Sequence, residues 1–129
     1  MQLHRIHHVA IICSDYARSK RFYAEVLGLR IVAENFQPQR GSWKLDLALP
    51  DGGQIELFYI PGAPKRSSRP EALGLRHLAF AVADVDSVKT DLEAGGVKAE
   101  DIRVDPYTQR RFVFCADPDD LPIEFYEAN

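Results

Sequence analysis

Two histidines and two glutamates recur in this chain at matched distances. His8 opens the run His8-Val9-Ala10-Ile11-Ile12-Cys13, and His77 opens His77-Leu78-Ala79-Phe80-Ala81-Val82. Glu56 lies inside Ile55-Glu56-Leu57-Phe58, and Glu124 inside Ile123-Glu124-Phe125-Tyr126. His8 and Glu56 are 48 positions apart, His77 and Glu124 are 47; the histidines are separated by 69 positions and the glutamates by 68. Neutral imidazole and carboxylate are ligands for borderline divalent cations such as zinc, nickel, cobalt or iron. A charged carboxylate left alone in an apolar strand costs several kcal/mol, and a shared cation removes that penalty. Each residue also has an ordinary reading, the histidine as a solvated strand start and the glutamate as a rim residue paired with an arginine. Repetition of both types at matched offsets favours a duplicated half that gives one His and one Glu per copy to one site.

The surrounding elements repeat as well. Residues 4–13 read as a strand, supported by β-branched Val9, Ile11 and Ile12. Ser14-Asp15 offers a helix N-cap, Tyr16, Tyr23, Val26 and Leu27 follow at near-helical spacing, and Gly28 suits the position after a helix, so residues 15–27 are predicted as one amphipathic helix. Strands follow at 29–36, 43–49 and 54–60, with the turn Pro50-Asp51-Gly52-Gly53 before the last. Pro61, Gly62, Pro64, Pro70 and Gly74 mark residues 61–74 as a linker. The order then restarts: Asp84 falls seven positions after His77, as Asp15 does after His8. Asp84 is expected to cap a second helix that ends at Gly95-Gly96. Strands at 97–104, 111–115 and 122–126 complete the copy. The expectation is an α+β fold of two strand-helix-three-strand modules, about 4–60 and 75–127, within a single domain of 129 residues.

Strand alternation divides the side chains. Glu56 shares a face with Phe58, Glu124 with Tyr126, His8 with Ala10 and Ile12, and His77 with Ala79 and Ala81. Val9, Ile11, Ile55, Leu57, Leu78, Phe80, Val82, Ile123 and Phe125 form the opposite, core-facing set. His7 falls on the other side from His8 and its repeat position is Arg76, so His8 is taken as the ligand; His4 has no counterpart.

The net charge of −3 argues against a nucleic-acid surface. The apolar runs are too short to span a membrane or serve as a signal peptide, so a cytoplasmic location is expected. Arg66 and Arg69 form one arginine cluster, Arg103, Arg110 and Arg111 another, either of which could meet an anionic group. Cys13 and Cys115 are expected to be buried thiols without a disulfide.

The segments HHVAIICSDYARSKRFYAEVLGL, GGQIELFY, GLRHLAFAVADVD and DPDDLPIEFYE resemble the vicinal-oxygen-chelate superfamily, in its glyoxalase I-like branch, over essentially the whole chain. The resemblance implies paired βαβββ modules whose sheets curl around one divalent metal, zinc, nickel or cobalt first and iron or manganese next. It places the ligands at His8, Glu56, His77 and Glu124. It implies proton abstraction beside a carbonyl and an enediolate stabilised by Lewis acidity. Glu124 is the expected base, with Glu56 as the symmetric alternative. Phe58, Tyr126, Trp43, Tyr107 and Arg111 are the candidate substrate-binding residues, although Trp43 also reads as core. Glyoxalase I enzymes carry an arginine four residues after the first ligand; Ile12 stands there and cannot bind a glutathione carboxylate. Another thiol hemithioacetal or a small α-oxygenated metabolite is therefore expected. By analogy with short family members a homodimer is expected, with the site in one chain or shared between two. Two other activities occur on this fold. One is a non-haem iron dioxygenase, which needs two histidines and one carboxylate. The other is non-catalytic sequestration of a small molecule, as in bleomycin resistance.

Overall fold

The computed structural model describes residues 1–128. The chain divides into two compact units, one of residues 1–64 and one from residue 65 onward. In the first unit the order is β1 (His8–Cys13), α1 (Tyr16–Lys20) with a π-helical continuation (Arg21–Val26), β2 (Arg30–Gln37), β3 (Ser42–Ala48) and β4 (Gln54–Tyr59). In the second it is β5 (Leu78–Val82), α2 (Val85–Ala94), β6 (Arg103–Val104), β7 (Arg111–Ala116) and β8 (Pro122–Glu127). Each unit holds one four-stranded mixed sheet, ordered β1-β4-β3-β2 in the first and β5-β8-β7-β6 in the second. In both, the first strand lies parallel to the last and the remaining pairs are antiparallel. Both units therefore have the βαβββ order read from the sequence.

Alternation settles which face is buried. In β3 and β4, Leu45, Leu47, Ile55 and Leu57 are almost fully buried, while Lys44, Asp46, Glu56 and Phe58 between them are only half-buried. Tyr23 and Phe22 of the π-helical segment complete this core. In the second unit Val113, Cys115, Ile123 and Phe125 lie with Val85 and Leu92 of α2 in the buried set. Truncating any of these aliphatic side chains to alanine would cost about 2–5 kcal/mol. Cys13 and Cys115 are both buried and free.

The helices start where the sequence places them. The Asp15 carboxylate accepts from Arg18 N at 3.1 Å, and the Asp84 carboxylate accepts from Asp86 N at 3.1 Å and from Ser87 Oγ at 2.6 Å. Each cap satisfies donors that the first helical turn leaves open. Gly28 and Gly96 follow the two helices at φ values of 73° and 79°, a conformation in which glycine avoids the Cβ clash.

Three boundaries differ from expectation. Residues 4–7 are not in a strand, and β1 begins at His8. The predicted helix over 15–27 is α-helical only to Lys20 and then widens to π geometry; the backbone bonds Leu27 N to Phe22 O and Leu29 N to Tyr23 O close that wider turn. The predicted strand over 97–104 is regular only at Arg103–Val104, although Glu100 N still bonds Phe114 O at 2.9 Å. No helix among the described residues is long and apolar enough to cross a membrane.

The predicted linker also divides unequally. Arg66 donates to Ser68 Oγ and to the carbonyls of Leu75 and Arg76, and Ser68 Oγ donates to Asp120 O at 2.7 Å. Those bonds attach residues 66–76 to the second unit.

Candidate metal centre

Each unit brings one of the predicted His–Glu pairs together. In the first, β1 and β4 run parallel with Ala10 opposite Glu56, and His8 Nδ1 lies 3.5 Å from Glu56 Oε2. In the second, Ala79 is opposite Glu124, and His77 Nε2 lies 3.1 Å from Glu124 Oε2. Both pairs sit on the sheet face away from the core. The glutamate side chains are 15% and 14% exposed, the histidines 41% and 25%, so the carboxylates are sheltered yet reachable.

These spacings suit a shared cation. Two donors about 2.1 Å from one ion and held about 90–110° apart lie about 3.0–3.4 Å from each other. The donor chemistry fits as well, with borderline nitrogen beside hard oxygen. A further observation concerns His77, whose Nδ1 is buried without a hydrogen-bond partner. Its ring is instead held edge-on against Phe114, with centroids 5.2 Å apart. Among the described residues, no set of three or more His, Cys, Asp or Glu side chains is arranged to hold a metal ion. The candidate ligands stand as two pairs, one per unit.

The neighbours of the two glutamates differ. Asp46 is the cross-strand partner of Glu56, and Lys44 of Phe58. Lys44 Nζ lies 3.2 Å from Asp46 Oδ1 and 3.6 Å from Glu56 Oε1. The Asp46 side chain, first, and then its charge and that of Glu56 raise the Lys44 pKa and keep the ammonium protonated. At the matching positions of the second sheet, Phe114 faces Glu124 and Phe112 faces Tyr126. Across the strand the first glutamate thus meets charged residues and the second aromatic rings. These four β3 and β7 residues were missed by sequence reasoning; the alternation Lys44-Leu45-Asp46-Leu47 and Phe112-Val113-Phe114-Cys115 was the signal that could have found them.

Of the remaining candidates, Phe58 and Tyr126 lie on the glutamate faces, as expected from strand alternation. Tyr126 stacks on Phe112 and its hydroxyl bonds Thr108 and the Asp105 carboxylate. Tyr107 is almost fully exposed on the turn between β6 and β7. Two expectations need correction. Trp43 is on the opposite face of β3 from Lys44 and Asp46, packed between Tyr16 and Phe36 at 4.8 Å from each ring; it belongs to the helix side of the sheet and not to the glutamate side. Arg111 is committed elsewhere: its guanidinium bonds Glu127 at 2.7 Å and Asp86 at 2.9 Å and approaches Asp84 at 3.5 Å. It ties β7 and β8 to the start of α2. His7, expected on the side away from His8, has its Nδ1 only 2.9 Å from His8 Nδ1, because strand alternation begins at His8.

Residues 5–125 match the Glyoxalase/Bleomycin resistance protein/Dioxygenase superfamily. The chain belongs to that family. It is 56% identical over 125 residues to the uncharacterized protein YaeR of Escherichia coli (strain K12), covering 97% of each chain. It is similar to the crystal structure of SMU.1112c, with a TM-score of 0.91 and 42% identity over 98% of this chain and all of that one. It is also 31% identical over 140 residues to a 2-epi-5-epi-valiolone epimerase of an Actinomyces species, over 92% of this chain and 76% of the epimerase.

Proposed function

We propose that this protein is a metal-dependent lyase or isomerase of glyoxalase type, acting on a small α-oxygenated substrate or thiol hemithioacetal. His8, Glu56, His77 and Glu124 would hold one divalent ion, zinc, nickel or cobalt before iron or manganese, within one chain or shared across a homodimer. Bound there, the ion would supply Lewis acidity to adjacent substrate oxygens. The observation that carries this reading is the repeated His–Glu pair, at 3.5 Å and 3.1 Å, on equivalent positions of two equivalent sheets.

Glu124 is the favoured base. It would take the proton beside the substrate carbonyl and return it to the neighbouring carbon, a role that needs a carboxylate free to gain a proton. Glu56 has the Lys44 ammonium 3.6 Å away. Glu124 pairs with His77 and has the aromatic Phe114 across the strand. Phe58 and Tyr126 would border the substrate. Ile12, half exposed on the His8 face, supplies no cation for a glutathione carboxylate. The epimerase relative supports a proton-transfer reading, since removing and returning a proton beside a carbonyl can invert a stereocentre.

The test is elemental analysis of the purified protein, followed by turnover of hemithioacetals made from several thiols and by solvent deuterium exchange beside the carbonyl. Exchange or turnover that depends on a divalent ion and is lost in Glu124→Gln is the expected result. Oxygen consumption by an iron-loaded protein would replace the lyase reading with a dioxygenase. Silence in every assay with every ion would leave sequestration of a small molecule.

A further inference from the structure

We propose that a cleft in the second unit binds an anionic group of the substrate, a carboxylate or a phosphate, through Arg69 and Arg103. The proposal rests on His77 and Glu124 forming part of the reaction centre, because both line the same cleft. Its volume is about 600 Å³, the size of a site for a small metabolite. The floor is the sheet face with Phe112 and Phe114; residues 66–72 form one wall and Arg103 contributes another.

The charges in this cleft do not balance. Four arginines line it, Arg66, Arg69, Arg76 and Arg103. Against them stand three carboxylates, Glu71, Glu100 and Glu124; Arg76 pairs with Glu71 at 2.6 Å, and His77 lies 3.1 Å from Glu124. Arg66 spends its donors on Ser68 Oγ and two main-chain carbonyls, which carry no charge. Arg69 has no hydrogen-bond or ion-pair partner among the described residues and holds nothing in place, yet it faces the cleft.

Arg103 is the better-defined half of the site. Its guanidinium carbon lies 5.0 Å from the Phe112 ring centroid and 5.5 Å from that of Phe114. Cation–π contact with two rings fixes the group over the floor while occupying its π face. The in-plane N–H fork, which matches an oxyanion in bidentate fashion, meets among the described residues only Glu100, at 3.9 Å. Phe114 also touches the His77 ring, so guanidinium and imidazole are linked through one aromatic side chain. A substrate with an anionic end on Arg103 and Arg69 and a short carbon chain over the two rings would present its other end to His77 and Glu124.

The test is calorimetric titration of the full chain, with its metal and after chelation, against inorganic phosphate, lactate and the neutral lactamide. Wild type is expected to bind phosphate or lactate in preference to lactamide, more weakly as salt rises, and equally after chelation. Tighter phosphate would identify a phosphorylated substrate and tighter lactate a carboxylic acid. Arg69→Gln and Arg103→Gln are each expected to weaken anion binding at least about tenfold with unchanged circular dichroism, and Arg103→Lys is not expected to restore it. Equal binding of lactate and lactamide, wild-type affinity in both variants, or binding abolished by chelation would overturn the assignment. Anion binding that survives chelation and Glu124→Gln, without turnover under any ion, would remove the proposed reaction and leave this site intact. Full turnover of a cognate anion in Arg69→Gln and Arg103→Gln would do the reverse.

Discussion

Lys44 Nζ lies 3.6 Å from Glu56 Oε1, whereas the matching β7 position holds Phe112, and the residue across the strand from Glu124 is Phe114. Two copies of one sheet have thus given their carboxylates different cross-strand neighbours. This predicts unequal roles. Glu124→Gln should lower kcat by about 10²–10⁴, the usual share of a general base. Glu56→Gln should instead show as lost metal. Metal content and deuterium exchange measured on both variants decide the matter, and equal kcat losses at equal metal content would remove the assignment of Glu124.

Metal binding should stabilise the folded chain. At a free ion concentration of about 100 times Kd the gain is about 2.7 kcal/mol, or roughly 5–15 °C in Tm for a chain of this size. His77→Ala and His8→Ala should melt at the same temperature with and without the ion. If the site is shared between two chains, mixing these two variants should restore part of the shift. A thermal melt with and without chelator reads all of these outcomes.

Arg111 predicts an acid-sensitive joint. Its hydrogen bond, followed by one from Val85 N, holds the Glu127 carboxyl below its usual range. Asp84 is also lowered, first by the Ser87 hydroxyl and the Asp86 amide, with Arg111 the smallest contribution. For carboxyls lowered by folding, the stabilisation is present above the unfolded value and disappears as pH falls through the folded one. Amide exchange at the start of α2 and in β8, taken relative to the intrinsic rate at each pH, should therefore rise as pH drops below about 4.5. Arg111→Met should raise it already at neutral pH and flatten the acid response.

The Cys115 thiol is pushed up to about 12, chiefly by burial and then by the charges of Asp117 and Glu100. It should not react with a thiol reagent at pH 8 until the protein unfolds. The raised value also fixes a sign. The fold holds the thiol proton more tightly than the open chain does, so this contribution is present below the unfolded value of 9.0 and is lost as pH climbs towards 12. Cys115→Ala should remove that part of the alkaline slope in a melting series.

Much of this was legible because the same pattern occurs twice. Asp15 and Asp84 cap helices as read, and Ile55, Leu57, Ile123 and Phe125 are buried while Glu56 and Glu124 face outward. What escaped was cross-strand information. Trp43 reads from sequence as either a pocket or a core residue, because nothing there shows that its face is the one opposite Glu56; pairing with Tyr59 places it on the core side. Arg111 read as a free cation because its three carboxylate partners lie 16 to 27 positions away. The π-helical turn at Arg21–Val26 carries no glycine or proline to announce it. The arginine-lined cleft was visible only as two local charge clusters, which the return of residues 66–72 to the β7–β8 side of the second unit brings together.

The bonds from Arg66 and Ser68 also mark where the chain can be severed. A break between Ile60 and Lys65 would leave the strands and helices of the described residues uncut, and each fragment would keep its own capped helix and its own hydrophobic interior. A break ten residues later would strip Arg66 from the carbonyls it grips and take Arg69 from the cleft. Split-protein reporters, fusions or permuted forms of this chain should therefore place their new ends ahead of Arg66.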